Sequence, residues 1–333
     1  MRPLLEGLRT LRRSLVLVPL LLAANLVLAV LLAVPLAVSI ERDLENTDAA
    51  ARMTRGFDYD WWSEWSSRQT GHGRHLSPDT LGFGFAAKNL DLLLKGHLPA
   101  GAFARLAGAR PRTDNGGKGP EVDPLVLGLG VVSMLVQLFL TGGVLGVFRG
   151  AQGRWTVRGL LFGSAFYWGR LVRVALLALL SAGLVFALWA PLSRLAESWA
   201  RESVSEWSAL LWSFARYALL LVALGLVHMA SSFAKVILVL ENRTSAVLAF
   251  VSGASFSLRY LGRAVLQYLA VVLVGGGLLT AWVAVDAAFE PTGYRTQLLF
   301  LLLAQGFLGA RVALRLWLLA SQVALYRSAA GPP

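Results

Sequence analysis

Few residues of this 333-residue chain could do chemistry. There are four histidines and no cysteine, so disulfides, thiolate metal sites and cysteine nucleophiles are excluded. His72 and His75 stand in the string His72-Gly73-Arg74-His75, close to Asp79. Two imidazoles three apart with a carboxylate nearby are the beginning of a metal site. Here Gly73 breaks any helix that would carry both rings, Arg74 repels a cation, and no further histidine is close in sequence, so no metal is assigned. His97 has no motif around it. The chain has no phosphate-cradling glycine loop, no HExxH string and no nucleophile elbow. The expectation is a protein with neither catalytic residues nor a cofactor.

The fourth histidine, His228, stands inside an apolar run and is followed by Ser231 and Ser232; Asn25 stands inside another. Such groups either serve a function or hydrogen-bond one membrane helix to the next. No acid shares the run with His228, which removes a proton relay, and interhelical bonding is the reading adopted for both residues. Asp58-Tyr59-Asp60-Trp61-Trp62-Ser63-Glu64-Trp65 packs three tryptophans, Trp61, Trp62 and Trp65, into five residues. Indole is favoured at a membrane surface, so this segment reads as an interfacial anchor, with a lid or aromatic platform as the functional alternative.

Membrane helices must position these residues. Hydrophobic residues make up 56% of the chain and charged ones only 15%, too apolar a balance for a soluble domain. Residues 14–40 carry no charge. At about 1.5 Å per residue that run crosses a hydrocarbon core of roughly 30 Å. Arg9, Arg12, Arg13 and the string Ala37-Val38-Ser39 imitate a signal peptide, but the run far exceeds an apolar segment of about 7–15 residues. It reads as a retained first span. The other uncharged intervals are 124–148, 174–193, 217–234, 264–285 and 296–310. Trp207–Tyr217 and Val236–Leu240 extend the fourth span; the sixth continues to Tyr326 past Arg311 and Arg315, read as arginines snorkelling near a helix end. The fold class is all-α, a polytopic bundle of about six spans.

The formal net charge is +12, but the basic residues sit at the ends of apolar runs instead of on one polar domain, which argues against nucleic acid. The N-terminus, the segments between spans two and three and between four and five, and the C-terminus hold 16 basic residues against two acids, Glu6 and Glu241. Glu197, Glu202, Glu206, Asp286 and Glu290 lie on the other side. Lys/Arg excess marks the cytoplasmic side, so both termini are expected in the cytoplasm of a bacterial inner-membrane protein. Asn242-Arg243-Thr244 then falls on the wrong side to be a glycosylation site.

Four regions follow. Residues 1–40 are the N-terminus and first span. Residues 41–123 are one sizeable outer loop, with 11 Lys/Arg against 12 Asp/Glu. Ser77-Pro78-Asp79 starts a helix there that runs to about Lys95 and stops at Gly96, and residues 109–122 form a tether. Residues 124–326 hold five spans, and residues 327–333 are a tail. Within the five spans, 157–179 aligns with 247–269 at Val157/Val247, Gly163/Gly253, Phe166/Phe256, Leu171/Leu261, Arg173/Arg263, Leu176/Leu266 and Leu179/Leu269. The hairpins 124–193 and 207–285 thus read as a parallel repeat. Each copy opens on an amphipathic stretch lying in the headgroup plane. In the second, Thr244 or Ser245 caps a helix carrying Val247, Leu248, Val251 and Leu258. Arg158, Arg170, Arg173, Arg243, Arg259 and Arg263 form a basic cuff that either binds anionic lipid or only sets topology. Gly142, Gly146 and Gly150 permit close helix contact, and Gly275-Gly276-Gly277 marks a flexible or closely packed point.

Two segments resemble recurrent features of six-span bacterial inner-membrane proteins. One is Phe233-Ala234-Lys235-Val236-Ile237-Leu238-Val239-Leu240-Glu241-Asn242-Arg243-Thr244-Ser245; the other is Phe57 to Trp65 with Gly82-Phe83-Gly84-Phe85. Over residues 130–325 the pattern is similar to the membrane domain attached to some glycerophosphodiester phosphodiesterases. That resemblance carries no catalytic residues, and the soluble barrel of those enzymes is absent here. It implies a membrane module, not a hydrolase. The expected partners are anionic membrane lipids and other membrane proteins. The expected role is a scaffold, accessory or envelope-maintenance component, with a transporter or lipid-handling permease as the alternative and a membrane enzyme third.

Overall fold

The structure, a computed structural model, describes residues 2–45, 47–53, 58–68, 124–150, 156–202, 205–288 and 294–330. The expected helix over 77–95, the tether, and His72, His75 and His97 lie outside the described residues. The described chain is an all-α bundle. Helix α1 (Arg2–Arg13) meets α2 (Leu17–Leu44), whose first part runs 75° away from it. Pro19 explains where the break falls. It lacks an N–H and its ring strikes the carbonyl four residues back, so it is best accommodated in the first turn of a helix. Tight bonds from Ser14 N to Leu11 O and from Leu17 N to Ser14 O carry the chain round.

Two short helices follow, α3 (Asp48–Met53) and α4 (Tyr59–Arg68), then α5 (Pro124–Arg149), which opens on proline. The rest are α6 (Val157–Glu202), α7 (Glu206–Leu240), α8 (Ala246–Arg259), α9 (Leu261–Ala288) and α10 (Tyr294–Ala330). Five of these, α5, α6, α7, α9 and α10, are long and apolar enough to cross a membrane, and the bent pair α1–α2 makes a sixth when taken as one span. The protein is a multi-pass membrane protein. Of the two amphipathic stretches, the second is a helix of its own, α8, capped by Ser245 Oγ, which accepts from Leu248 N at 3.3 Å. The first is the opening turns of α6 and continues unbroken into the span.

The core lies at one end of the bundle, the end where Arg13, Arg149 and Arg327 stand. Leu140, Val144, Leu145 and Phe148 of α5 meet Val236, Leu238 and Val239 of α7 and Leu316, Ala320 and Val323 of α10. Leu160 and Leu171 of α6, Ala246 and Ala249 of α8, and Leu11, Leu17 and Leu21 close around them. Away from this basic end the helices expose large apolar side chains: Leu180 is 70% exposed, Val272 64% and Leu302 68%. Water would not tolerate an apolar surface of that extent, whereas hydrocarbon imposes no cost on it.

Three contacts at the basic end are alike in construction, because each sets a glycine against a neighbouring helix. Gly163 of α6 lies on Gly143 of α5, where a Cβ on Gly163 would stand 3.6 Å from the Gly143 Cα. Gly253 of α8 abuts α7, where a Cβ would stand 2.5 Å from Ala230 O and 2.9 Å from the Ala234 Cα. Gly7 of α1 abuts α10, where a Cβ would stand 2.8 Å from the Ser321 Cα. The first two are the glycine column of the sequence alignment. The third joins the two ends of the chain, and Trp317 Nε1 locks it by donating to Leu4 O at 3.0 Å.

Candidate functional site

The turn between α7 and α8 organises the basic end. Helix α7 stops at Leu240 in a Schellman arrangement: Arg243 N donates to Leu238 O at 3.0 Å and Asn242 N to Val239 O at 3.4 Å. Asn242 occupies the left-handed region this requires, at φ 51°. Arg170, half-buried on α6, reads the turn from outside. Its Nη1 donates to Asn242 Oδ1 at 2.9 Å and to Arg243 O at 3.2 Å, and its guanidinium lies 4.8 Å from the Phe166 ring centre. Arg243 donates to Glu241 and, at 2.7 Å, to Ser252 Oγ. Tyr326 of α10 donates to the other Glu241 oxygen.

A second capping interaction completes the ring. Arg327 Nη2 donates to Phe148 O at 2.9 Å and Arg149 O at 3.0 Å, satisfying the last carbonyls of α5. Arg149 in turn donates to Tyr167 Oη at 2.9 Å. Of the six cuff arginines, Arg170 therefore holds the first hairpin to the α7–α8 turn, and Arg243 braces that turn from within. The other four, Arg158, Arg173, Arg259 and Arg263, are exposed. Arg259 and Arg263 lie 5.8 and 5.9 Å from the Tyr260 ring centre. Exposed apolar side chains surround them: Phe162 is 72% exposed, Leu248 61% and Leu258 60%. Arg263 also lines a cleft of about 480 Å³ between α1, α9 and α10, with Arg2, Glu6, Gln267 and Ser328.

Deeper in the bundle, polar groups cluster at two places. Ser232 Oγ donates to Gln322 Oε1 at 3.0 Å, and Gln322 Nε2 donates to Tyr268 Oη at 3.0 Å. The His228 ring stands edge-on to Tyr268 at 5.6 Å. At the second place Gln137 Nε2 donates to Asn25 Oδ1, and Arg315 Nη1 donates to Gln137 Oε1 at 2.7 Å. Asn25 thus bonds α2 to α5. Gln137 and Gln322 were not singled out from the sequence. The available signal was their placement: each interrupts an otherwise apolar helix.

Arg315 also corrects an expectation. It does not lie near a helix end, because α10 runs on for 15 further residues to Ala330. Leu316, Ala320 and Val323 share the core with Leu140, Val144, Leu145 and Phe148, and α5 is too short to cross if that core stands outside the membrane.

Beyond the far end of α2 the tryptophans form a stack on α4. Trp61 and Trp65 rings are 5.7 Å apart and Trp62 and Trp65 rings 5.1 Å. Trp62 and Trp65 are buried, and Trp65 Nε1 donates to Asp43 Oδ2 at 2.7 Å, tying α4 to the end of α2. Asp58 Oδ1 accepts from Trp61 N at 3.0 Å and Oδ2 from Arg52 Nε at 2.7 Å. The amide N–H and then the guanidinium hold its carboxyl below the usual carboxylate range. Among the described residues no three His, Asp or Glu side chains come together as a metal site. No family model, no curated protein and no solved structure matches this chain.

Proposed function

We propose that the chain is a non-enzymatic integral protein of the bacterial cytoplasmic membrane, a scaffold or accessory component that holds anionic lipid at its basic end. In this reading the basic end and both termini face the cytoplasm, as the Lys/Arg asymmetry requires. The observation that carries it is the division of labour within the cuff. Arg170 and Arg243 are spent on the protein, whereas Arg158, Arg173, Arg259 and Arg263 stand exposed beside exposed apolar side chains. A guanidinium at the headgroup level binds phosphate through a fork of donors, and each basic residue there gains about 1 kcal/mol from an anionic leaflet. The resemblance to a phosphodiesterase-attached membrane domain supports a membrane module without chemistry of its own.

The test is the lipid that stays with the protein. After purification in mild detergent, mass spectrometry should find phosphatidylglycerol or cardiolipin retained over phosphatidylethanolamine. The Arg173→Gln/Arg263→Gln double variant should lose that preference. Indifference of the unaltered protein to headgroup charge would overturn the proposal. A second reading, a lipid-handling permease, has one specific observation in its favour: the placement of Arg315.

A further inference from the structure

The cleft between α1, α9 and α10 has a wall that the exposed cuff does not explain. Gln267 of α9 lines it and is only 2% exposed. Its Nε2 donates to Ser321 O of α10 at 2.8 Å, but its Oε1 is buried without a partner. An empty buried acceptor is costly, so one in the wall of an open cleft points to a donor from outside the chain. The last torsion of a glutamine is broad, and a small turn brings Oε1 to such a donor. Arg263 stands four residues earlier on the same face of α9, one turn nearer the basic end, and Arg2 of α1 lines the same cleft. Among the described residues no ion pair engages Arg2, Arg263 or Glu6, the acid that shares the cleft with them.

The order of these groups along α9 selects the ligand. On the reading that the basic end stands at headgroup level, on which this assignment rests, two guanidiniums meet a phosphate there. About 6 Å deeper, on the hydrocarbon side, the Gln267 oxygen meets a donor. Diacyl phospholipids have no donor at that depth, because their backbone oxygens are esterified and their headgroup hydroxyl or ammonium lies beyond the phosphate, toward water. A lysophospholipid keeps one backbone hydroxyl free, between its phosphate and its single chain. That chain has a lane: Leu266 lines the cleft and, with Leu269 and Leu273, forms an exposed apolar stripe down α9. Buried Leu4 and Leu325 line the cleft as well, and its volume of about 480 Å³ is that of a small-molecule site. Glu6 opposes a second negative charge, which favours a singly charged phosphodiester, and it can pair with an ethanolamine ammonium. We infer that the cleft binds a lysophospholipid, its phosphate held by Arg2 and Arg263 and its free glycerol hydroxyl donating to Gln267 Oε1.

The experiment titrates the full chain in mild detergent with two probes and counts bound lipid by native mass spectrometry. One probe is oleoyl lysophosphatidylethanolamine; the other is its deoxy analogue, with the same chain and headgroup but hydrogen in place of the free hydroxyl. The unaltered protein should bind the first about tenfold more tightly, the factor that about 1.4 kcal/mol produces. Gln267→Leu should bind both probes alike, at the strength of the analogue. Arg2→Gln/Arg263→Gln should weaken both probes and keep the preference between them. If Gln267→Leu does not fold, the two probes on the unaltered protein decide the matter. Equal affinity of the unaltered protein for both probes overturns the inference. Displacement of the lysolipid by an equal concentration of its deacylated ester, glycerophosphoethanolamine, overturns the lipid assignment. Equal binding of the probes beside retained phosphatidylglycerol sinks only the cleft assignment. Discrimination of the hydroxyl without any preference for anionic diacyl lipid supports the cleft and sinks only the cuff.

Discussion

Asn242 shows how one residue can hold two hairpins. Its backbone closes α7 in the left-handed region, and its side chain accepts the α6 arginine. An L-residue without a local hydrogen bond pays about 1–2 kcal/mol in that region. Asn242→Ala should therefore cost about 1–2 kcal/mol or more in thermal or denaturant unfolding, and Asn242→Gly less, because glycine keeps the turn and loses only the Arg170 bond. Equal losses in the two variants would show that the turn geometry is not what matters. Asp58 gives a pH prediction at α4. Its folded pKa is lowered, so its contribution to holding α4 is present above the ordinary value of about 3.9 and is lost as pH falls through the lower folded value. Tryptophan fluorescence should hold steady from neutral pH down to that ordinary value and change only below it, and Asp58→Asn should abolish this acid transition. A transition centred above the ordinary value contradicts the assignment.

At the scale of elements, glycines separate close packing from mere composition. Gly253 is pressed against α7, and Gly253→Ala should cost about 1–3 kcal/mol because backbone must give way. Gly276 has nothing within 4 Å of a would-be Cβ, and α9 passes through it unbroken. Gly276→Ala should be neutral or stabilise by about 0.5–1 kcal/mol, measured by the same unfolding assay. The sequence marked Gly253 as an alignment column and Gly276 as a flexible or closely packed point but could not rank them, because a helix sequence does not state which face meets backbone. The spans were legible from uninterrupted apolar runs, and the α8 cap from Ser245 at its expected place. The bend at Pro19 and the depth of Arg315 were not legible. Depth depends on which turns of α10 pack against α5, and that register is a property of tertiary contact. The α7–α8 turn falls within the string from Phe233 to Ser245 that carries the family resemblance, but the bond from Arg170 to Asn242 joins residues 72 apart and left no local trace.

The whole molecule is a bundle packed at one end and lipid-facing at the other, with the chain termini meeting through α1 and α10. The proposed sidedness rests on charge, and the absence of cysteine makes the check clean. Single replacements Thr70→Cys, Asn115→Cys and Gly153→Cys should react with an impermeant reagent from outside at the first two positions and not at the third; the reverse pattern would invert the molecule. The central claim is that the exposed cuff arginines bind anionic lipid at the basic end. It is tested most directly by the thermal midpoint of the detergent-purified protein as lipid is added. Cardiolipin or phosphatidylglycerol should raise the midpoint of the unaltered protein and leave Arg173→Gln/Arg263→Gln unmoved, while phosphatidylcholine raises neither. Equal stabilisation of both proteins by the neutral lipid would contradict the claim and leave these arginines as topology signals alone.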